Sequence, residues 1–526
     1  MILTKTVLST YSADTFGVCS ALYELGGLIV MHDASGCNST YNTHDEPRWY
    51  SMDSMVFISG VTEKDIIFGS DKKLIDDVCA AAEEEHPVFI SLCGSPLPLA
   101  TGTDFRAAAK VVERRTGIPA FGFPTNGMNT YLTGAGMAFE MLAGRVRTCK
   151  KAEGGACITV GTETNPGAAE NAGTGAGVYE DFNTGTGKGV YEDFNTGTGK
   201  DVYKDFNAGT GAGADANVMR LFRMPEFRKP GNKRLKVNIL GVTPLDFSVV
   251  GNVEALRTYL IVNGFTIRSV WAMGDTLDNI LSSSDADVNL VVSATGFRAA
   301  RKMKERFGIP FVTGVPVGKA AGTALAKRLR EACCGEESAD VPSQTIPSDG
   351  KVQNYQAGSG AGGETNLQAG SGAGGETNLQ AGRIKDQANL SPDGTCDMLL
   401  IGEPVFISSL REELQTEFGF RNVRCICPMP DAPKPLISGM ETMIYEQELR
   451  KACRMAGRII ADPFYARLLP EEERGKFISL PHEAYSGRYY RDGIPVFIGS
   501  RMNGWLKERL AERDDWLKQS GTQRFQ

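Results

Sequence analysis

The sequence predicts an α/β protein of three doubly wound parallel-sheet domains around a central cleft, with two low-complexity insertions. Three observations point there. Apolar runs of strand length alternate with amphipathic helical patterns in three stretches of the chain, and strand–helix–strand alternation makes parallel sheets joined by right-handed crossovers. The 526 residues allow three or four domains at roughly 150 residues each. Two repeat tracts use up part of that length, which favours three.

The first block is 1–152. Residues 27–31 and 87–92 are short, mainly apolar runs of the kind expected for buried strands. Residues 72–85 and 104–116 carry helical patterns, and Thr116-Gly-Ile-Pro119 reads as a helix C-cap glycine followed by a new strand. An insertion fills 153–231: GVYEDFNTGTGK at 177–188 recurs unchanged at 189–200 and as DVYKDFNAGTGA at 201–212. The second block, 232–335, predicts strands at 235–240, 265–270 and 287–292 and helices at 253–263 and 298–307. A second insertion, 336–394, holds QAGSGAGGETNL at 356–367 and again at 368–379. Both tracts are too rich in glycine and too poor in apolar residues to bury a continuous face, so they read as flexible expansions. The third block, 395–526, predicts strands at 397–401, 423–426 and 495–498 and helices at 408–418 and 505–517. The result is a set of Rossmann-like domains, whose ligands bind beyond the carboxyl ends of the strands.

Composition narrows the function. Hydrophobic residues make up 41% and charged residues 23%, so the chain is not disordered throughout. A net charge of −7 argues against a protein that coats nucleic acid. The longest apolar run near the start, residues 25–31, is too short for a signal core or a spanning helix, and the expectation is a cytoplasmic protein with no membrane partner. The twelve cysteines include no C-x-x-C pair, and only four histidines exist. That excludes a disulfide scaffold, a zinc ribbon and a polyhistidine metal enzyme. No phosphate-binding G-x-x-x-x-G-K-[ST] occurs, so any driving nucleotide hydrolysis belongs to another chain.

The positive signal lies in the first block. Cys19 sits in Phe16-Gly-Val-Cys-Ser-Ala21, Cys37 follows a strand in His32-Asp-Ala-Ser-Gly-Cys37, and Cys93 ends another strand beside Gly94. Thiolates at such places are soft ligands suited to iron–sulfur chemistry. Three buried structural thiols are the alternative that spacing alone leaves open. Cys425 and Cys427, after a strand of the third block, are lesser candidates, as is Arg48 with Trp49 for lining an interface.

These cysteines stand in recognisable company. His32-Asp-Ala-Ser-Gly-Cys37-Asn-Ser-Thr-Tyr41, Phe57-Ile-Ser-Gly-Val-Thr-Glu-Lys-Asp-Ile-Ile-Phe-Gly69, Gly102-Thr-Asp-Phe105, Val237-Asn-Ile-Leu-Gly241, Asn252-Val-Glu-Ala-Leu256 and Tyr485-Ser-Gly487 occur in order across all three blocks. The chain thereby resembles component 1 of nitrogenase and its relatives: the molybdenum–iron protein subunits, their assembly-scaffold homologues and the dark-operative protochlorophyllide reductase. The resemblance implies that Cys19, Cys37 and Cys93 bind an iron–sulfur cluster shared across a subunit interface. A 4Fe–4S cubane and a larger P-cluster-like centre both stay open, because the interval between Cys19 and Cys37 is shorter than in true nitrogenase subunits. A cubane would draw its fourth ligand from the neighbouring subunit or elsewhere. The implied partners are an identical or paralogous component 1 subunit, in a dimer or tetramer, and an iron-protein-like ATPase reductase.

The chain departs from catalytic nitrogenase subunits at the molybdenum–iron cofactor. The strand of the second domain that carries a cysteine there continues here as Leu290-Val-Val-Ser-Ala-Thr-Gly296, and His482 is offset from the place of the cofactor histidine. The implied function is an anaerobic, nitrogenase-like oxidoreductase subunit acting on an unidentified substrate. The alternative is a scaffold on which a nitrogenase-type cofactor is assembled. A binding protein that kept the fold without redox chemistry is a third possibility.

Overall fold

The computed structural model describes residues 10–36, 41, 45–151, 157–160, 234–333, 395–433 and 439–519. Both repeat tracts and Cys37 lie outside them. The chain divides into two units, one formed by Met1–Val146 with Leu235–Gln526 and the other by Arg147–Arg234.

In the larger unit the apolar runs of the first block become β1 (Leu28–His32) and β3 (Ile90–Gly94), both buried along their whole length. Burial on two faces explains why they read as mainly apolar runs. With β2 (Val56–Ile58) and β4 (Ala120–Gly122) they form a parallel sheet of order β2-β1-β3-β4. Helices Asp71–Glu85 and Phe105–Thr116 flank it, the second capped by Asp104, whose carboxylate accepts from the Arg106 and Ala107 amides. Gly117 ends that helix at φ 73°, the left-handed conformation its position in Thr116-Gly-Ile-Pro119 predicts. In the smaller unit, β5 (Thr148–Lys151) and β6 (Cys157–Val160) make an antiparallel hairpin.

The second sheet comprises β7 (Lys236–Leu240), β8 (Thr266–Val270), β9 (Val288–Val291) and β10 (Phe311–Thr313) in the order β10-β9-β7-β8. It repeats the topology of the first. The third sheet has β11 (Cys396–Ile401), β12 (Val423–Cys427), β13 (Met440–Thr442), β14 (Ala456–Ala461) and β15 (Phe477–Ser479). Its order, β13-β12-β11-β14-β15, is that of the first five strands of the doubly wound 3-2-1-4-5-6 sheet, again wholly parallel. Each sheet reverses its winding once: between β1 and β3, between β7 and β9, and between β11 and β14. Those switch points are where doubly wound sheets open a crevice for ligands.

Shared cores lock the sheets together. Met31, Cys93 and Phe139 pack with Trp271, Val291 and Met303, joining the first sheet to the second. Val237 and Leu290 pack with Leu400, Ile460 and Leu506, joining the second to the third.

Two expectations need correction. Residues 495–498 are not a strand. The Phe497 amide donates to Asn252 Oδ1 and the Pro495 carbonyl accepts from Asn252 Nδ2, so a side chain takes the place of a neighbouring strand. The third-block helix starts a turn early, at Pro404, because a Glu403 side-chain oxygen caps it by accepting from the Phe406 amide at 2.7 Å. Helix Tyr131–Arg145 has no counterpart among the expected elements.

Candidate functional site

The cysteine candidates belong to the first switch point. Cys19 lies on helix Asp14–Leu22 and Cys93 on β3, both fully buried. The two thiols are close enough for Cys93 to act on the Cys19 thiol, and Cys93 Sγ donates to the Val30 carbonyl at 3.6 Å. Burial, then the neighbouring Cys93 and then the Glu46 charge push the Cys19 thiol well above its ordinary pKa. A bound metal cation reverses that balance, because coordination takes the proton from a thiol. Cys37 falls outside the described residues, one position past the exposed Gly36.

The helix that carries Cys19 is held in three ways. Thr15 Oγ1 donates to the Gly94 carbonyl at 2.8 Å, tying the helix to the end of β3. Gly17 and Gly134 let it touch helix Tyr131–Arg145 backbone to backbone: a Cβ on Gly134 would lie 1.7 Å from the Asp14 carbonyl oxygen. Arg48, read from the sequence as a possible interface residue, is instead buried within the chain. Its guanidinium meets Glu46 at 2.7 Å and Glu24 at 2.9 Å, and donates to the Ser20 and Ala272 carbonyls. Gly94, at the end of β3, does not open onto the cleft: it is packed on the Phe105 ring, which a Cβ would meet at 2.3 Å.

The donor set suits an iron–sulfur group in part. Two soft thiols are side by side at a switch point, and the Ser20 and Ser91 hydroxyls near them in sequence are buried with no partner among the described residues. No group of three or more His, Cys, Asp or Glu residues able to hold a metal occurs among the described residues, which contain two of the three predicted ligands.

The remaining candidates resolve into structure. His32 is held between the Ser59 and Ser70 hydroxyls at 2.7 and 2.9 Å. In Thr62-Glu-Lys-Asp65, Thr62 and Asp65 form a reciprocal helix cap. Cys425 and Cys427 are buried in hydrophobic cores, and burial pushes the Cys425 thiol up to about 12.

A second constellation, of which the sequence reading named only His482 and the segment holding Ser293, occupies the other two switch points. Asp246 follows β7, Ser293 follows β9, Glu403 follows β11 and Asp462 follows β14. Asp246 accepts from Tyr131 Oη at 2.5 Å and Ser293 Oγ at 2.6 Å, and His482 Nε2 lies 3.4 Å away. Glu403 accepts from the Ala294 amide at 2.8 Å, which bridges the second and third sheets. Burial and the Asp246 charge push the Glu403 carboxyl up to about 8, so it keeps its proton at neutral pH. Ser293, within the cysteine-free segment Leu290–Gly296, is thus engaged by Asp246. The available signal was an acidic residue soon after the central strand of each sheet.

Comparison with known proteins follows the same lines. The family model described as nitrogenase component 1 type oxidoreductase matches residues 16–346, more than half of the chain. The light-independent protochlorophyllide reductase B-subunit of Prosthecochloris aestuarii is 37% identical over 83 residues, covering 16% of each chain. Its counterpart in Rubrivivax gelatinosus is 34% identical over 99 residues, 19% of this chain and 18% of that one. The matched segments therefore span less than a fifth of these relatives. A solved structure titled "Nitrogenase Cp1 at pH 5" aligns over 98% of this chain and 90% of its own, with 13% identity and a TM-score of 0.49. On the match of the family model, the chain belongs to the nitrogenase component 1 type oxidoreductase family.

Proposed function

We propose that this chain is an electron-accepting subunit of a nitrogenase-like reductase, with an iron–sulfur cluster held by Cys19, Cys37 and Cys93 at the seam with a second component 1 type subunit. The observation that supports the reading is that helix Asp14–Leu22 and β3 bring Cys19 and Cys93 close enough at the first switch point to raise the Cys19 pKa, with Cys37 following β1 in the sequence. When bound, such a cluster supplies one-electron transfer. The chain's own part is positional. Thr15 fixes the helix of Cys19 against the strand of Cys93, and Arg48 fastens the Ser20 carbonyl beside it. Burial in this apolar surrounding tunes the potential. Electrons arrive from an ATP-dependent iron-protein-like reductase, and the substrate sits in the cleft of the second and third sheets.

The absence of a cysteine from the segment Leu290–Gly296, where the resemblance to catalytic nitrogenase subunits implies one, also favours a second reading, a scaffold for assembly of a metal cofactor. One experiment separates them. The anaerobically purified chain, its paired subunit, the reductase and ATP are supplied with dithionite. Sustained electron consumption beyond one equivalent per cluster is expected for the enzyme. A single stoichiometric reduction, followed by delivery of iron to another chain, marks the scaffold. Purified chain without iron or acid-labile sulfide contradicts both.

A further inference from the structure

We propose that His482 makes the short helical turn Glu483–Ser486 a pH-sensitive joint between the three blocks: the neutral ring caps the turn through Nδ1, and a proton on that atom releases it. This goes beyond the reading above and needs neither a cluster nor a substrate.

The partner of each ring nitrogen fixes the switch atom. His482 stands at the N-cap of the turn with extended backbone, and its Nδ1 accepts from the Ala484 amide at 3.3 Å. A backbone amide only donates, so Nδ1 carries no proton and the neutral ring keeps its proton on Nε2. Nε2 faces Asp246 Oδ1 at 3.4 Å. A second proton can enter only at Nδ1, where it sets one N–H against another. The charged ring then keeps Asp246 and loses Ala484. The His482 side chain is 16% exposed, so protons reach it from solvent.

The turn is a hub. The Ala484 carbonyl accepts from the Tyr11 and Ser12 amides at 2.9 and 3.0 Å, which anchors the segment that enters the Cys19 helix at Asp14. Glu483 accepts from Ser248 Oγ at 2.9 Å, in the loop after β7, and pairs with Arg491. Asp462, after β14, accepts from the His482 amide at 3.0 Å and from Ser486 Oγ at 2.8 Å. One turn thus meets all three blocks, and its cap is the side chain type that ordinarily changes charge between about pH 5 and 8. Asp246, Asp462 and Glu483 line one cavity with His482 and draw the charged ring. Arg491 is spent on Glu483, Arg467 lies over the Phe464 ring, and Arg488 and Asp492 are exposed. Asp45 holds the Tyr11 hydroxyl at 2.8 Å. Burial raises the Asp462 and Glu483 carboxyls above the usual range, so the test must separate their titration from that of the ring.

Hydrogen–deuterium exchange of the full chain at about pH 7 and about pH 5 spans the ordinary histidine range. Each rate is divided by the intrinsic rate at its pH. The Ala484, Tyr11 and Ser12 amides should lose about fivefold in protection at the lower pH, the effect of one lost hydrogen bond. His482→Asn is the discriminating variant. Its Oδ1 takes the place of Nδ1 as acceptor, asparagine is a good N-cap, and it does not titrate. Asp45, Asp462 and Glu483 are unchanged in it, and its protection should be equal at both pH values. Nuclear magnetic resonance of the chain labelled with 15N-histidine is the second measurement. Of the four histidine signals, the one that His482→Asn removes should show the Nε2–H tautomer at about pH 7. Equal protection of wild type at both pH values, a loss at low pH that persists in the variant, or an Nδ1–H tautomer overturns the proposal.

Discussion

Arg48→Ala will destabilise the larger unit by about 3–5 kcal/mol, the typical cost of removing one partner from a buried ion pair. The guanidinium stands between Glu24 and Glu46, whose side chains are 8% and 0% exposed. Without it both carboxylates remain in a low-dielectric interior with no compensating charge, and the carbonyls of Ser20 and Ala272 lose a charged donor. The effect reaches function because Ser20 follows Cys19. Urea unfolding monitored by tryptophan fluorescence should show a lower midpoint for the phase containing Trp271, which packs in the same core as Cys19. Replacing Arg48, Glu24 and Glu46 together by uncharged side chains of similar size should recover most of the loss. If the single variant unfolds like wild type, the buried triad is not what holds this helix.

Gly134→Ala is the second large effect. A Cβ there would overlap the Asp14 carbonyl oxygen at 1.7 Å, and backbone atoms on both sides leave nothing flexible to yield. Overpacking of this kind costs about 1–3 kcal/mol and more where backbone must move. The helix that gives way carries Cys19, so iron content should fall along with stability. Gly144→Ala on the same helix is the control. A Cβ at Gly144 meets nothing within 4 Å, and the change should stabilise by about 0.5–1 kcal/mol through helix propensity. Thermal unfolding and iron analysis of the two variants check both expectations.

The strands were legible because parallel strands buried on both faces write themselves as apolar runs, as in Leu28–Met31 of β1 and Met398–Ile401 of β11. The helix stops were legible where Gly117 and Gly308 cap their helices in the left-handed conformation that other residues resist. Helix Tyr131–Arg145 was not, since Gly134 and Gly136 lower its propensity and neighbours on several sides blur its periodicity. The late segment 495–498 has a strand's composition, but Asn252 supplies its hydrogen bonds. At the candidate sites, Cys93 stood out because a cysteine at a strand end is unusual chemistry in a short window. Asp246 and Glu403 did not, because each is an ordinary acid in its own window. Only the folded topology brings Tyr131, Asp246 and Glu403 together from three blocks.

The most direct test of the cysteine assignment is electron paramagnetic resonance of the anaerobically purified, reduced chain, wild type against Cys37→Ala. A cluster signal in wild type that vanishes in the variant is the predicted result. The same spectrum from both proteins would contradict it.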